Sequence, residues 1–166
     1  PAQAFEIPSV GSVIAYELES QRREIDTFPT YVGCNLDTVG CGALSTGFLN
    51  PRHSVVDINL KNGTGASAMD AEAAKLLEER YRLLAELDKA ARVSREGRDR
   101  SLTAFRDFQS AAHRILGDAR WPKAFQMADY EKARYGDNTV GLGCLLARNL
   151  IQADAGTRYI HVTHPD

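Results

Sequence analysis

The sequence predicts an α/β domain built around parallel strands, and three observations carry that prediction. A glycine at position 156 separates a helical stretch from the extended run Arg158-Tyr159-Ile160-His161-Val162-Thr163, the helix, turn, strand order of an α/β unit. An earlier run, Thr30 to Cys34, is β-branched and aromatic and includes a glycine near its end, as strands often do. Between the two lie long stretches whose apolar residues recur at helical spacing.

Residues 1–7 read as an arriving strand or loop. Pro8-Ser9-Val10-Gly11-Ser12 then reads as a helix start, with Ser9 available as the cap. Val10, Val13, Ile14 and Leu18 extend that helix to about Glu19, and the charged run Glu19 to Asp26 reads as its solvated end. Thr30 to Cys34 is the first strand. Residues 35–53, rich in Gly, Asn, Asp and Pro, form a long loop, a length that usually carries a function or packs under a lid. Residues 54–60 are a second extended segment, and Asn62-Gly63-Thr64-Gly65 breaks the chain. Asn62-Gly63-Thr64 also matches a glycosylation sequon, and a turn is the preferred reading.

Ser67 and Asp70 suggest a capping box for the first long helix. Its apolar stripe is Ala73, Leu76, Leu77, Leu84, Leu87 and Ala91, with Tyr81 on the flank and Glu79, Arg80, Arg82, Glu86 and Lys89 on the wet side. Gly97 ends that arm. A second helix sends Leu102, Phe105, Phe108, Ala112, Ile115 and Leu116 inward, giving an αα-hairpin. Its tip is modestly basic (Lys89, Arg92, Arg95, Arg98, Arg100, Arg106) and reads as solvated, because no aromatic stacking platform accompanies it.

Trp121-Pro122 marks a further helix entry, and Ala124 to Ala133 reads as a short helix stopped by Tyr135-Gly136. Asp137 or Asn138 caps the next helix, which runs to about Ala153 with Val140, Cys144, Leu145, Leu150 and Ile151 inward. Gly141 and Gly143 lower its propensity by about 1 kcal/mol each relative to Ala. They imply the close approach of another backbone or of a ligand. The organisation is therefore one partial domain in three parts: residues 1–66 strand- and loop-rich, 67–120 the hairpin, and 121–166 helices leading to a strand.

Composition excludes several classes. With 43% apolar and 25% charged residues the chain has the balance of an ordinary globular domain. A net charge of −2 gives no bulk electrostatic case for nucleic acid or an anionic membrane. No apolar run is long enough to span a bilayer, and no signal peptide is visible in a chain that opens at Pro1. Three cysteines, Cys34, Cys41 and Cys144, are too few for a disulfide framework. Cys34 and Cys41 would pair only if a turn brought them together.

His161, His164 and Asp166 form the one cluster with metal-ligand chemistry. His161 and His164 point to opposite faces of a regular strand, and converge only if the strand ends by Thr163, which Pro165 favours. The alternative is a structural role beside a site completed elsewhere. His53 and His113 read as surface or loop histidines. Cys144, on the inward face of a helix with no basic partner, makes a poor nucleophile. Cys41 has Asp37 near it in sequence, but spacing assigns no Ser-His-Asp or Cys-His arrangement. Gly40-Cys41-Gly42 and Gly141-Leu142-Gly143 lack the full dinucleotide fingerprint, so no organic cofactor is expected.

The ordered blocks carry a resemblance across nearly the whole chain. They are Pro8-Ser9-Val10-Gly11-Ser12, then Phe28-Pro29-Thr30-Tyr31-Val32 and Gly47-Phe48-Leu49, then Ala124-Phe125-Gln126-Met127 and Arg134-Tyr135-Gly136. Gly143-Cys144-Leu145-Leu146-Ala147-Arg148-Asn149-Leu150-Ile151 and Gly156-Thr157-Arg158-Tyr159-Ile160-His161-Val162 complete the set. In order and spacing it resembles a bacterial family of unknown function, sulfatase-like and arylsulfatase A-related.

The resemblance implies an alkaline-phosphatase-like core in a parent exported to the periplasm or beyond. It also implies a divalent metal in the intact parent, none in this chain alone, and hydrolysis of a sulfated or phosphorylated small molecule or polysaccharide. A Trp-Asp-Thr-His run that follows the last strand in that family is not present, nor is the upstream segment that supplies other site residues. The expectation is an internal piece of a larger hydrolase, inactive alone, with His164 and Asp166 as metal ligands of the parent and its catalytic residues unassigned. The alternatives are a non-catalytic exported binding or scaffold protein of the same fold, and a free-standing helical module. The fragment reading also expects exposed apolar strand surface that promotes self-association. The module reading expects the hairpin to close its own core.

Overall fold

The computed structural model describes residues 7–36, 44–60, 71–92 and 100–164. Among the described residues six α-helices and three strands follow in the order α1 (Val10–Glu17), β1 (Tyr31–Cys34), β2 (Val56–Ile58), α2 (Ala71–Arg92), α3 (Arg100–Leu116), α4 (Arg120–Ala124), α5 (Asp129–Tyr135), α6 (Thr139–Gln152) and β3 (Tyr159–Val162). The strands form one parallel sheet in the order β2-β1-β3. Val32 stands beside Val56 on one side and Ile160 on the other.

A central parallel strand is covered on both faces, and all four residues of β1 are buried. Successive side chains alternate between faces. Val32 and Cys34 enter a core with Phe28, Leu60, Ala124, Phe125, Leu146 and Leu150, against which Ile58, Ile160 and Val162 pack. Tyr31 points to the other face, where α1 lies so close that a Cβ on Gly11 would strike its ring. The small residues Gly11, Ser12 and Ala15 form the buried side of α1, while Val10 and Val13 are exposed. Ser9 caps α1 by accepting a hydrogen bond from the Ser12 N–H at 3.2 Å. The result is three layers, with α1 on one side of the sheet and α4 and α6 on the other.

Several expectations need correction. The run 19–26 is not simply solvated. Asp26 is buried because Arg23 binds its carboxylate at 2.7 Å while also reaching Asp154 at 2.9 Å. Those contacts fasten the segment after α1 to the turn before β3, where Gly156 at φ 112 sits against Asp26. His53 is buried, edge-on to Tyr16 at 5.5 Å. His113 is a helix residue that stacks on Tyr81 at 3.9 Å and meets Glu78 at 2.8 Å, joining α3 to α2.

The helix expected over 124–133 is two helices, α4 and α5. Buried Phe125 ends the first turn of chain, and Asp129 and Glu131 restart it at a new N-terminus, where acidic groups favour the helix dipole. Asn138, not Asp137, caps α6, accepting from the Gly141 N–H at 2.9 Å.

The hairpin stripe turns inward only in part: Leu76, Leu84, Leu87, Phe105, Phe108 and Leu116 are exposed, while Leu77, Ala112 and Ile115 are half-buried. None of the exposed large apolar residues described lies on a strand, so the apolar surface expected on the sheet sits on helices and on loop residues such as Ile7 and Phe48 instead. The residues 62–65, the cap at Ser67 and Asp70, Gly97, and Arg95 and Arg98 at the tip lie outside the described residues. No described helix is long and apolar enough to cross a membrane.

Candidate functional site

Parallel α/β sheets place their chemistry at the carboxyl ends of the strands, and here that edge is organised by Asn35. It follows β1 directly, is fully buried, and has φ 61, a left-handed conformation that Asn tolerates better than most residues. Its Oδ1 accepts from the Leu60 N–H at 2.9 Å, just beyond β2, and its Nδ2 donates to the Thr139 carbonyl at 3.4 Å, in the first turn of α6. Its own N–H donates to the Ile58 carbonyl at 3.1 Å. From the end of β3, the Thr163 hydroxyl donates to the carbonyls of Asn35 and Cys34. The Leu36 N–H donates to Asp57 at 3.2 Å. One side chain and its neighbours thus tie three strand ends and a helix start into a single junction.

The first turns of α6 reach this edge because they carry glycine. A Cβ on Gly143 would lie 2.7 Å from Val162 Cγ1, and one on Gly141 would strike the carbonyls of Tyr135 and Gly136. Of the two readings open for these glycines, the structure selects close approach of protein, not of a ligand. Their placement also sets the phase of the helix. Gly141, Gly143, Leu145, Leu146 and Leu150 face inward, while Cys144 and Ile151 are exposed, correcting the inward placement expected for both.

The expected site residues are only partly brought together. The strand β3 ends at Val162, so the alternation that would separate His161 from His164 no longer binds His164. His161 is half-buried beside Gly33, and His164 is exposed just past the Thr163 anchor. Asp166 lies outside the described residues, as do Asp37, Cys41 and Gly40 to Gly42. Among the described residues no group of three or more His, Cys, Asp and Glu side chains converges as a metal site. They do not by themselves build a metal centre. Cys34 is a free thiol at the same edge. Burial first, then the nearby Asp57 and Cys144, pushes its pKa up to about 12, so it stays protonated and is no nucleophile at neutral pH. Asn35, Asp57 and Thr163 were not picked out from the sequence. The one signal was an Asn immediately after a predicted strand, a position that favours positive φ.

Fold and edge define the class: a parallel α/β domain with a polar junction at the strand ends. The family follows from a sequence comparison, in which the profile of the protein of unknown function family DUF1501 matches residues 2–166. The chain belongs to that family. Searches of curated proteins and of solved structures found no match.

Proposed function

We propose that this chain is a segment of a metal-dependent hydrolase of anionic sulfate or phosphate esters, built on an alkaline-phosphatase-like core and inactive by itself. The observation that carries the reading is the carboxyl-edge junction. A buried, left-handed Asn35 fixes the ends of all three parallel strands and presents His164 just beyond β3. Irregular backbone held by surrounding structure clusters at functional sites, and the edge is the one where α/β sheets bind ligands. The ordered sequence blocks that resemble sulfatase-like proteins support the same reading. In it His164 and Asp166 contribute to a divalent metal site of the intact parent, the substrate is a sulfated or phosphorylated small molecule or polysaccharide, and the parent is exported.

The exposed apolar faces of α2 and α3 weigh against a free-standing helical module, which would have closed its own core. The remaining alternative is a non-catalytic binding or scaffold protein of the same fold. The test is to express the full open reading frame, measure bound divalent metal, and assay 4-nitrophenyl phosphate and 4-nitrophenyl sulfate on the same sample. Stoichiometric metal with turnover of either ester is the expected result. A folded full-length protein with neither metal nor turnover overturns the hydrolase reading in favour of the scaffold.

A further inference from the structure

The edge of the sheet opposite Asn35 holds a cavity of about 450 Å³, within the range of about 300–1,000 Å³ common for small-molecule pockets. Its walls come from the end of α1, the turn before β1, the turn before β2, and α3. Phe28, Trp121, Phe108 and Leu116 give it an apolar lining, and the cationic residues Arg22 and Arg114 line it too.

The charges in this cavity are not balanced. Arg22 is half-buried, and its hydrogen bonds go to neutral acceptors: the Thr30 hydroxyl, the Asp26 carbonyl at 2.6 Å and the Phe28 carbonyl at 2.8 Å. Among the described residues, neither Arg22 nor Arg114 has a carboxylate at ion-pair distance. Arg52, the third cation on the wall, is matched by Glu19 at 2.9 Å. Asp107, the other carboxylate of the lining, forms no ion pair with either guanidinium. Burial depresses the Arg22 pKa first, and the charges of Arg114 and Arg158 add to that, against the opposing pull of Asp26 and Glu19. A half-buried guanidinium held only by neutral acceptors, with a second, exposed cation near it, is left short of counter-charge.

We propose that this cavity binds a small organic anion with an aromatic or aliphatic body, its charged group set between Arg22 and Arg114 and its apolar part against Phe28 and Trp121. A guanidinium suits an oxyanion because its donors form a planar fork. The apolar lining accounts for selection of an amphipathic anion over an inorganic one. The site lies on the amino edge of the sheet and uses none of the residues assigned to the hydrolase reading, so each stands or falls without the other.

The test is calorimetric titration of the 166-residue chain with naphthalene-2-sulfonate, alongside the neutral analogue 2-naphthalenemethanol. Two variants are titrated in parallel: Arg114→Glu, which reverses a charge on an exposed side chain, and Ala111→Trp, which fills the cavity from α3. The native chain is expected to bind one sulfonate with a dissociation constant below about 1 mM, and the alcohol at least about tenfold more weakly. Arg114→Glu is expected to weaken sulfonate binding by about tenfold or more, and Ala111→Trp to abolish it. No saturable binding by the native chain overturns the proposal, as does equal affinity for alcohol and sulfonate. Unchanged affinity in both variants also overturns it, by placing the sulfonate elsewhere, such as on the exposed leucines of α2.

Discussion

Two helices of this chain carry apolar residues at helical spacing and end in opposite surroundings. α6 buries Leu145, Leu146 and Leu150 completely, while α2 leaves Leu84 at 47% and Leu87 at 66% exposure. The difference lies in what each helix can approach. Gly143 lets α6 settle against Val162 of β3, so Leu146 and Leu150 enter the core shared with Val32 and Phe28. α2 has no sheet opposite it. Its links to α3 include the stack of Tyr81 on His113 and the His113 to Glu78 contact, and α3 in turn meets the body at the Pro51–His53 turn. Periodicity therefore specifies a helix and a stripe, but burial needs a partner surface of matching shape.

The largest expected effect separates these two environments. Leu146→Ala is expected to cost about 2–5 kcal/mol, the range for truncating a buried leucine. Leu87→Ala is expected to change stability by no more than about 0.5 kcal/mol, as at exposed positions. Urea unfolding of both variants measures the contrast. Equal losses would break the comparison, since they would require Leu87 to be covered.

Next in size is the junction. Asn35→Ala leaves the buried Leu60 N–H without its acceptor, a loss of about 1–3 kcal/mol, and puts Ala at φ 61. Asn35→Gly removes the same hydrogen bonds but tolerates that backbone, so it is expected to be the milder of the two. If Gly and Ala cost the same, the conformation of Asn35 contributes nothing and its hydrogen bonds account for the whole effect.

Much of the body was legible in the sequence. The three strands fall inside the predicted extended segments, and the two long helices, with a cap for α6 at Asp137 or Asn138, follow from local chemistry. What escaped was set by distant partners. The contacts of Asn35 reach 25, 104 and 128 residues along the chain, so no local pattern marks it as a hub. Cys144 was misplaced because the phase of α6 is fixed by the approach of Gly143 to β3, not by the apolar count. Asp26 and His53 were taken as wet because the partners that cover them, Arg158 of the turn before β3 for Asp26 and Tyr16 with Glu19 for His53, meet them only in the fold. His164 was correctly placed at the end of a strand, but its chemistry depends on groups that local spacing does not supply.

The smallest expected effect is pH-dependent and belongs to the body. Hydrogen bonds from Arg120, then from Thr27, hold the Asp118 pKa down to about 2 against the cost of burial. A pKa lowered by folding contributes stability above the unfolded value of about 3.9, and that contribution is lost as pH falls through the folded value. Between about pH 4 and pH 2, Asp118→Asn is therefore expected to lose less stability on acidification than the native chain. Parallel acid limbs for the two proteins, followed by intrinsic fluorescence of Trp121, would show that the Asp118–Arg120 pair does not couple to folding.

Hydrogen–deuterium exchange read by mass spectrometry tests the central contrast most directly, because it reports both regions in one sample. The account predicts slow exchange, limited by global unfolding, for peptides covering β1, β3 and α6, and faster exchange through local opening for peptides covering α2. Protection of α2 equal to that of β1 would contradict it, because such protection requires the exposed leucine face to be covered and the hairpin to belong to the same cooperative core.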